Sequence, residues 1–228
     1  MKNYVIIVAG GSGSRMGTQI PKQFLELCGR PVLMHTIQVF YDFDPESELI
    51  LVLPETQHEF WAGLCLKYSF SLPHQIANGG ETRFHSVNNG LKLIKGEGIV
   101  FIHDGVRPLV SLQTLTRCCE TAANSGNAIP VLPVTESLRK KEGNQNYSVD
   151  RSLFFNVQTP QTFRSEIILK SFLQAYDQAF TDDASVAEKA GFAINLVEGN
   201  PENIKITSPV DLILAEALIQ KTSDFLEI

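Results

Sequence analysis

A glycine-rich segment followed by two cations stands near the start of the chain. In "VAGGSGSRMGTQIPKQF" the glycines of the first turn are followed by Arg15 and Lys22. Glycine lets backbone N–H groups close on an anion, and the two cations add positive charge. Two familiar fingerprints fail: GxGxxG would need a glycine at Met16, and a Walker A loop needs a glycine directly before a lysine. A tight turn with solvent-facing cations is the alternative, and the two cations together favour a phosphate-binding loop.

A carboxylate follows an apolar run in "FIHDGVRPLV". Open parallel sheets place functional residues at the carboxyl ends of their strands, where Asp104 is expected to lie. A lone carboxylate there is a candidate ligand for Mg²⁺, which prefers hard oxygen donors and retains several waters. Arg107 could pair with a second anion. The alternative for Asp104 is a helix cap or turn residue, and His103 is expected to be a core or supporting histidine rather than a base.

Two weaker signals lie further along the chain. In "ANGGETRFHSV" a pair of glycines leads into a predicted helix, whose free N–H groups would face the space above the sheet. The candidate donors there are Gly79, Gly80, Arg83 and Ser86. The segments "TDDAS" and "NIKIT" place Thr181, Asp182 and Lys205 near predicted turns or strand ends. A plain strand-to-helix turn, a helix cap and an exposed lysine are the default interpretations of these features.

The sequence suggests no Ser-His-Asp or Cys-His arrangement, no HExxH and no clustered Cys or His ligands. A reaction without a protein nucleophile or strong general base therefore fits best. Phosphoryl or nucleotidyl transfer to a substrate that already carries a phosphate is one such reaction. A phosphate monoester is largely dianionic at neutral pH, since its second pKa is about 6. The attacking phosphate oxygen must therefore be positioned and its negative charge offset, but it does not need to be deprotonated.

The order of apolar runs and helical segments predicts an α/β protein with a parallel sheet. Buried strands are expected at residues 4–8, 49–53, 99–103 and 128–132. Helices are expected between them and near the C-terminus, where "SPVDLILAEALI" is a good helix start. Ser111 is expected to cap one helix and Gly126 to end it. Without an internal repeat or a low-complexity linker, we expect one domain over residues 1–228.

One stretch interrupts this alternation. Residues 134–163 are polar and turn-rich in their first half and alternate in their second. The turn "EGNQN" between "SLRKK" and "YSVDRSLFF" predicts a hairpin that projects from the sheet, and such an arm often makes an interface.

Composition narrows the possible functions. The 228 residues are 43% hydrophobic, which is enough for a buried core, and the formal net charge of −6 argues against a general nucleic-acid binder. No apolar segment is long enough to cross a membrane, and the N-terminus does not resemble a signal peptide. The four cysteines have no CxxC spacing, so we expect reduced thiols in a cytoplasmic protein.

Taken together, the motifs resemble those of the 2-C-methyl-D-erythritol 4-phosphate cytidylyltransferase family of non-mevalonate isoprenoid biosynthesis. The matching segments are "AGGSGSRMG", "PKQF", "GGETRFHSV", "HDGVRP", "VDR", "TPQTF", "TDDAS" and "EGNPENIKIT". The resemblance runs nearly end to end. It implies a three-layer α/β sandwich of the nucleotide-diphospho-sugar transferase (Rossmann-like) type, and a homodimer that exchanges β-arms, here residues 135–158. It also implies the reaction of CTP with methylerythritol phosphate, which gives the CDP-alcohol and pyrophosphate with Mg²⁺ as cofactor.

The resemblance also assigns roles to residues. The positions that would wrap the base and phosphates of CTP are Ala9, Gly10, Gly11, Ser12, Gly13, Ser14 and Arg15. Arg15 and Lys22 would stabilise the α-phosphate in the transition state. Gly79, Gly80, Arg83 and Ser86 fall where family members hold the cytidine. Asp104 would bind Mg²⁺ close to the acceptor alcohol, with Arg107 nearby. The positions that match acceptor binding are Ser137, Arg151, Thr181 and Lys205, of which Arg151 and Lys205 would hold the acceptor phosphate.

Two departures from the family pattern concern the site. Val8 and Gly10 stand where many members have proline and alanine, and Gly105-Val106 replaces a usual pair of small residues. The alternative within the same chemistry is ribitol 5-phosphate cytidylyltransferase, which shares "PKQF" and the His-Asp turn. A non-catalytic nucleotide-binding module could have lost Lys22 or Asp104, and both are present. A nicotinamide dehydrogenase is disfavoured by the failed fingerprint.

Overall fold

The computed structural model describes residues 1–10 and 20–226, with the side chains of residues 222–226 not described. Its centre is one mixed sheet. The strands of this sheet are β1 (Lys2–Val8), β4 (Glu48–Leu53), β5 (Gln75–Asn78), β6 (Gly98–Asp104), β7 (Asn127–Pro133), β10 (Phe155–Val157), β11 (Gln161–Arg164) and β12 (Leu196–Glu198). Their order across the sheet is β10-β7-β11-β6-β1-β4-β5, and β12 also pairs with β7. The remaining strands, β2 (Glu26–Leu27), β3 (Arg30–Pro31), β8 (Leu138–Glu142) and β9 (Gln145–Val149), form two separate pairs.

Seven α-helices lie between or beside these strands in the described part of the chain. They are α1 (Val32–Phe43), α2 (His58–Lys67), α3 (Arg83–Leu91), α4 (Leu112–Ser125), α5 (Ser165–Ser171), α6 (Asp183–Lys189) and α7 (Pro209–Leu226). The four strands predicted from apolar runs are confirmed as β1, β4, β6 and β7. Strands β1, β4, β5 and β6 pair in parallel, whereas β10 and β11 run antiparallel to β7.

Side chains that alternate along the central strands pack on opposite faces of the sheet. Val5 and Ile7 of β1 belong to a core cluster with α1, α2 and α4, whereas Tyr4 and Ile6 belong to a second cluster with α3, α5 and α6. Because both faces of the sheet are covered, β1, β4 and β6 are continuous apolar runs. The result is the predicted three-layer α/β sandwich.

The helix ends agree with the sequence signals. The Ser111 side chain caps α4 by accepting from the Thr114 N–H, and Gly126 ends that helix with φ of +94°. At the start of α7, Asp211 Oδ2 accepts from the N–H groups of Thr207 and Ser208. Side-chain acceptors thus satisfy N–H groups that a helix start leaves without a partner.

Strands β8 and β9 form a hairpin with a two-residue turn whose first residue, Gly143, has φ of +59°. Most of the hairpin is exposed. The chain then makes a short 3₁₀ turn at Arg151–Leu153 and returns to the main sheet as β10. The apolar side chains of Leu153, Phe154 and Phe155 are exposed in this returning segment.

The four cysteines are all free. Within the part of the chain that the structure describes, no helix combines the length and hydropathy needed to span a membrane.

Candidate active site

The carboxyl ends of four parallel strands lie side by side and form the floor of the site. Val8 at the end of β1 is in register with Asp104 at the end of β6 on one side and with Val52 of β4 on the other. Leu53 of β4 is in turn in register with Asn78, where β5 ends. Segments that are far apart in sequence therefore open onto one edge of the sheet, which is where α/β sheets bind ligands.

A first cleft of about 230 Å³ lies above these strand ends. The predicted nucleotide-binding residues that line it are Ala9, Gly10, Lys22, Gly80, Arg83 and Ser86. Buried Gln23 supports its floor by donating from Nε2 to the Ala9 carbonyl at 2.7 Å. Gly79 is not among the lining residues of the described chain, and its N–H donates to the Leu53 carbonyl at 2.7 Å.

The two glycines that line this cleft differ in how tightly they are packed. A Cβ on Gly80 would lie 2.4 Å from the Cβ of His85, whereas a Cβ on Gly10 would meet no atom of the described residues closer than 3.9 Å. The Gly80 N–H donates to Ser86 Oγ at 3.0 Å, and that hydroxyl donates to the Thr82 carbonyl at 3.0 Å. Ser86 thus shapes the 80–82 turn. An alanine at position 10 would therefore not clash with the described residues.

A second cleft of about 300 Å³ adjoins the first. Arg83, Asp104 and Lys205 line both clefts, while Arg107 and Thr181 line the second. A group bound in one cleft therefore faces the same three charged side chains as a group bound in the other. This geometry suits a reaction between two bound molecules across Asp104.

Cations surround Asp104. Its Oδ2 lies 2.9 Å from Lys205 Nζ and 3.2 Å from Arg107 Nε, and its Oδ1 lies 3.9 Å from Arg83 Nε. Burial by itself would raise the pKa of Asp104, but the charges of Arg83, Lys205 and Arg107 outweigh burial and hold that pKa well below its usual range. The carboxylate is therefore ionised throughout the physiological range.

Arg83 is held at the start of α3 by a second carboxylate. Its Nη1 and Nη2 donate to the two oxygens of Asp183 at 2.8 and 2.7 Å, a two-point pair that fixes the guanidinium plane. Burial opposes the charge of Arg83, but the carboxylates of Asp183 and Asp104 outweigh it and raise the pKa of Arg83 above its ordinary value. The side chain stays cationic and its Nε side faces Asp104.

His103 supports the site from below the strand end. It is buried, and burial lowers its pKa to about 4, so the ring is neutral at pH 7. Its Nε2 lies 2.9 Å from the Arg107 carbonyl, which can only accept, so Nε2 carries the proton. Nδ1 then accepts from Thr159 Oγ, 3.0 Å away, and this hydroxyl accepts from the Asp104 N–H. The arrangement agrees with the interpretation of His103 as a supporting residue.

Asp104 is the carboxylate that lines both clefts, while Glu81 lines the first cleft and Asp182 the second. Among the described residues, no group of three or more His, Cys, Asp or Glu side chains could hold a metal ion. Asp104 Oδ1, however, is too far from Arg83 to form a hydrogen bond and lies in a cleft with room for a ligand. A single carboxylate fits Mg²⁺, which is commonly bound through one or two carboxylates, substrate phosphates and water.

Some predicted site residues lie elsewhere. Gly11, Ser12, Gly13, Ser14 and Arg15 lie outside the described residues. Ser137 and Arg151 are exposed on the hairpin segment and are not among the residues that line either cleft in the described chain. Arg151 Nη1 donates to the carbonyl of Thr135, a contact within the same segment.

Sequence reasoning missed several residues that line the clefts. Glu81 and Thr82 line the first cleft, and Gln158, Thr159 and Gln161 line the second. Asp182, which the sequence placed near a turn in "TDDAS", also lines the second cleft. Glu81 stands within the quoted "GGETRFHSV" motif and Thr159 within "TPQTF", so motif membership was the available signal for both.

A three-layer α/β fold with two clefts that meet at a carboxylate and its cations defines a nucleotidyltransferase. A family model described as IspD, 2-C-methyl-D-erythritol 4-phosphate cytidylyltransferase, matches residues 3–221. The chain belongs to this family.

Individual relatives agree with that assignment. The chain is 52% identical over 219 residues to the 2-C-methyl-D-erythritol 4-phosphate cytidylyltransferase of Phocaeicola vulgatus, covering 96% of this chain and 100% of the relative. It is 50% identical to that of Bacteroides thetaiotaomicron, with the same coverage. The crystal structure of the Thermus thermophilus enzyme of that name superposes with a TM-score of 0.80 at 34% identity, covering 96% of this chain and 100% of that one. These relatives support the methylerythritol assignment over the ribitol alternative.

Proposed function

We propose that this chain transfers a cytidylyl group from CTP to 2-C-methyl-D-erythritol 4-phosphate. A phosphate oxygen of the acceptor attacks the α-phosphorus of CTP, the bond to the β-phosphate oxygen breaks, and pyrophosphate leaves. The products are 4-diphosphocytidyl-2-C-methyl-D-erythritol and pyrophosphate. The observation that carries this proposal is the pair of clefts that share Arg83, Asp104 and Lys205, in a chain of the cytidylyltransferase family.

On the nucleotide side, we propose that the first cleft holds CTP. The residues assigned to this role are Ala9, Gly10, Gly11, Ser12, Gly13, Ser14, Gly79, Gly80, Arg83 and Ser86. Arg15 and Lys22 would face the α-phosphate, where negative charge grows as the new bond forms. Cations fixed before the reaction stabilise such charge without reorganisation, and this is the main source of catalysis when no protein nucleophile takes part.

On the acceptor side, we propose that Lys205, Arg107 and Thr181 hold the acceptor in the second cleft. Bringing a phosphate dianion to a triphosphate is repulsive, and Lys205 and Arg107 lie where they can offset that repulsion. The short contacts of both cations to Asp104 hold them in place before the substrate arrives.

We propose that Asp104 binds Mg²⁺ together with the phosphates of CTP. The metal supplies charge neutralisation between the two phosphate groups when it is bound. The Asp104 carboxylate would be one ligand of the metal. Asp104 lies at the end of β6, where its backbone N–H donates to Thr159 Oγ1, and this contact keeps its side chain at the junction of the clefts.

We further propose a single domain over residues 1–228 that works as a homodimer, in which the arm of residues 135–158 reaches the partner subunit. The exposed hairpin and the exposed Leu153, Phe154 and Phe155 support an interface at this arm. Ser137 and Arg151 would then complete the acceptor site of the partner. The four free cysteines fit a reducing compartment, and we place the enzyme in the cytoplasm.

The direct test is pyrophosphate release from CTP, measured with methylerythritol phosphate and ribitol 5-phosphate side by side. We expect a much larger kcat/KM with methylerythritol phosphate. Equal or greater activity with ribitol phosphate would overturn the substrate assignment, and release without any acceptor would overturn the transfer reaction.

A further inference from the structure

Lys205 lies on an irregular segment, yet its ammonium group is placed beside Asp104. Residues 199–207 lie between β12 and α7 and contain neither helix nor strand. The Lys205 side chain is 42% exposed, while its Nζ lies 2.9 Å from Asp104 Oδ2. Because a segment without regular structure must pair its backbone groups elsewhere, contacts from other parts of the chain hold it in place.

The side chain of Gln158 makes several of those contacts, and the Ile206 N–H, which donates to the Val106 carbonyl at 3.0 Å, makes another. Gln158 is buried, with 5% exposure. Its Nε2 donates to the Asn200 carbonyl at 2.9 Å and to the Asn203 carbonyl at 3.3 Å, and its Oε1 accepts from the Asn200 N–H at 3.2 Å. One amide group thus pairs with three backbone groups of the turn that precedes Lys205.

The sequence of the turn is shaped around this amide. A Cβ on Gly199 would lie 2.2 Å from Gln158 Oε1, so only glycine lets the amide approach. The turn is also tied to the second cleft, because Asn203 Nδ2 donates to the Thr159 carbonyl at 2.8 Å and the Asn203 carbonyl accepts from Arg107 Nη1 at 2.7 Å.

We propose that Gln158 is a positioning residue that sets the place of Lys205 through the 199–203 turn. The proposal rests on the acceptor-binding role of Lys205 given above. Gln158 holds the turn, and the turn holds the ammonium group where the acceptor phosphate must lie relative to Asp104. Loss of the Gln158 contacts leaves Lys205 present but misplaced.

The main variant is Gln158→Glu, which keeps the shape of the side chain and replaces the donor with an oxygen that faces two carbonyls. Displacement of a reacting group by about 1 Å can cost on the order of 100-fold in rate. We expect kcat/KM for the acceptor to fall roughly 10- to 100-fold, mainly through KM for the acceptor, with little change in KM for CTP. Gln158→Met, which buries no charge, serves if the glutamate variant fails to fold.

The decisive measurement is a double-mutant cycle with Lys205→Ala on kcat/KM for the acceptor. If Gln158 acts through Lys205, the loss of kcat/KM in the double variant is clearly smaller than the product of the two single losses. The matched control is Gln174→Glu, since Gln174 Nε2 also donates to two backbone carbonyls, those of Ser171 and Val186, on α5 and α6. This control is expected to combine additively with Lys205→Ala.

Additive losses in the Gln158 and Lys205 cycle, with Lys205→Ala itself strongly impaired, overturn the positioning role and leave the proposed function intact. A wild-type chain without cytidylyl transfer overturns the proposed function instead. Amide hydrogen exchange then reports on the turn independently of activity. Faster exchange of the Asn200 and Asn203 amides in Gln158→Glu, with β6 unchanged, supports the role of Gln158 in holding the turn, and unchanged exchange overturns it.

Discussion

The cleft and the arm differ in the burial and in the contacts of the predicted site residues that they contain. In the cleft, Asp104 ends a fully buried strand and contacts three cations of its own chain. On the arm, Arg151 is exposed, and its Nη1 donates to the carbonyl of Thr135 in the same segment. The comparison indicates that one chain preorganises its cleft residues, whereas Ser137 and Arg151 on the arm line neither cleft in the described part of the chain.

The largest effect is expected from Lys22→Ala, which tests the cleft. Lys22 lines the first cleft and is proposed to meet charge that grows only in the transition state. We therefore expect kcat to fall on the order of 100- to 1000-fold, with a smaller change in KM for CTP. Arg15→Ala is expected to behave in the same way. Steady-state kinetics check this, and a near-normal kcat would mean that the loop only binds.

Asp104→Asn tests the centre of the cleft. The amide removes the charge that holds Arg83, Arg107 and Lys205, and it weakens the proposed metal ligand. We expect turnover to fall on the order of 100-fold and the Mg²⁺ concentration for half-maximal activity to rise. The measurement is a Mg²⁺ titration of initial rate for both proteins. Full wild-type activity in excess chelator would contradict the metal role of Asp104.

The next prediction tests the arm by subunit exchange. Arg151→Ala chains are mixed with Lys22→Ala chains, each of which is expected to be nearly inactive alone. If Arg151 acts on the partner's acceptor, a heterodimer has one site with both lesions and one site with neither. Activity then rises to about a quarter of the wild-type value at full random exchange in a two-fold dimer.

If Arg151 acts within its own chain, every site in the heterodimer carries one lesion and mixing restores nothing. Exchange is verified with two differently tagged chains. If activity does not recover although exchange is verified, the proposal that Arg151 acts on the partner subunit is wrong. The cytidylyltransferase assignment would stand.

The sequence predicted the parts of the fold whose signal is local. The apolar runs indicated β1, β4, β6 and β7, because strands buried on both faces must be apolar along their length. It did not predict that β11 lies between β6 and β7 and runs antiparallel to both. Pairing of that kind depends on contacts far apart in sequence, which periodicity does not record.

The site divides in the same way. Asp104 was recognised because it follows an apolar run, and Lys205 through its motif. The ion pair between Arg83 and Asp183, which lie 100 residues apart, could not be inferred from the spacing of nearby residues. The contacts of Gln158 with the 199–203 turn were missed for the same reason. Motif resemblance named individual residues, and only the fold showed which of them contact each other.

Gly80→Ala tests the packing of the cleft through the free energy of unfolding. A Cβ at this position would lie 2.4 Å from His85 Cβ and 2.9 Å from the His85 carbonyl carbon, so the turn must move. We expect the free energy of unfolding to fall by about 1–3 kcal/mol. Gly10→Ala is the matched control, since its Cβ would meet no described atom closer than 3.9 Å, and it should change that free energy by no more than about 0.5 kcal/mol. Denaturant unfolding of both variants provides the measurement, and equal losses would mean that the packing difference between the two glycines has no energetic weight.

Gly143→Ala is the corresponding change in the arm, and the smallest global effect is expected from it. Gly143 has φ of +59°, and a Cβ added there would meet no atom of the described residues within 4 Å, so alanine introduces backbone strain without a clash among those residues. That strain falls on the β8 and β9 hairpin, which pairs apart from the main sheet. If the hairpin unfolds independently, the free energy of global unfolding should stay within about 0.5 kcal/mol of wild type at low protein concentration.

Dimer affinity, measured by sedimentation, should weaken in Gly143→Ala. Gly143→Asn should weaken it less because asparagine adopts positive φ more readily than alanine. A loss of global stability as large as that of Gly80→Ala at every protein concentration would show that arm and cleft form one cooperative unit.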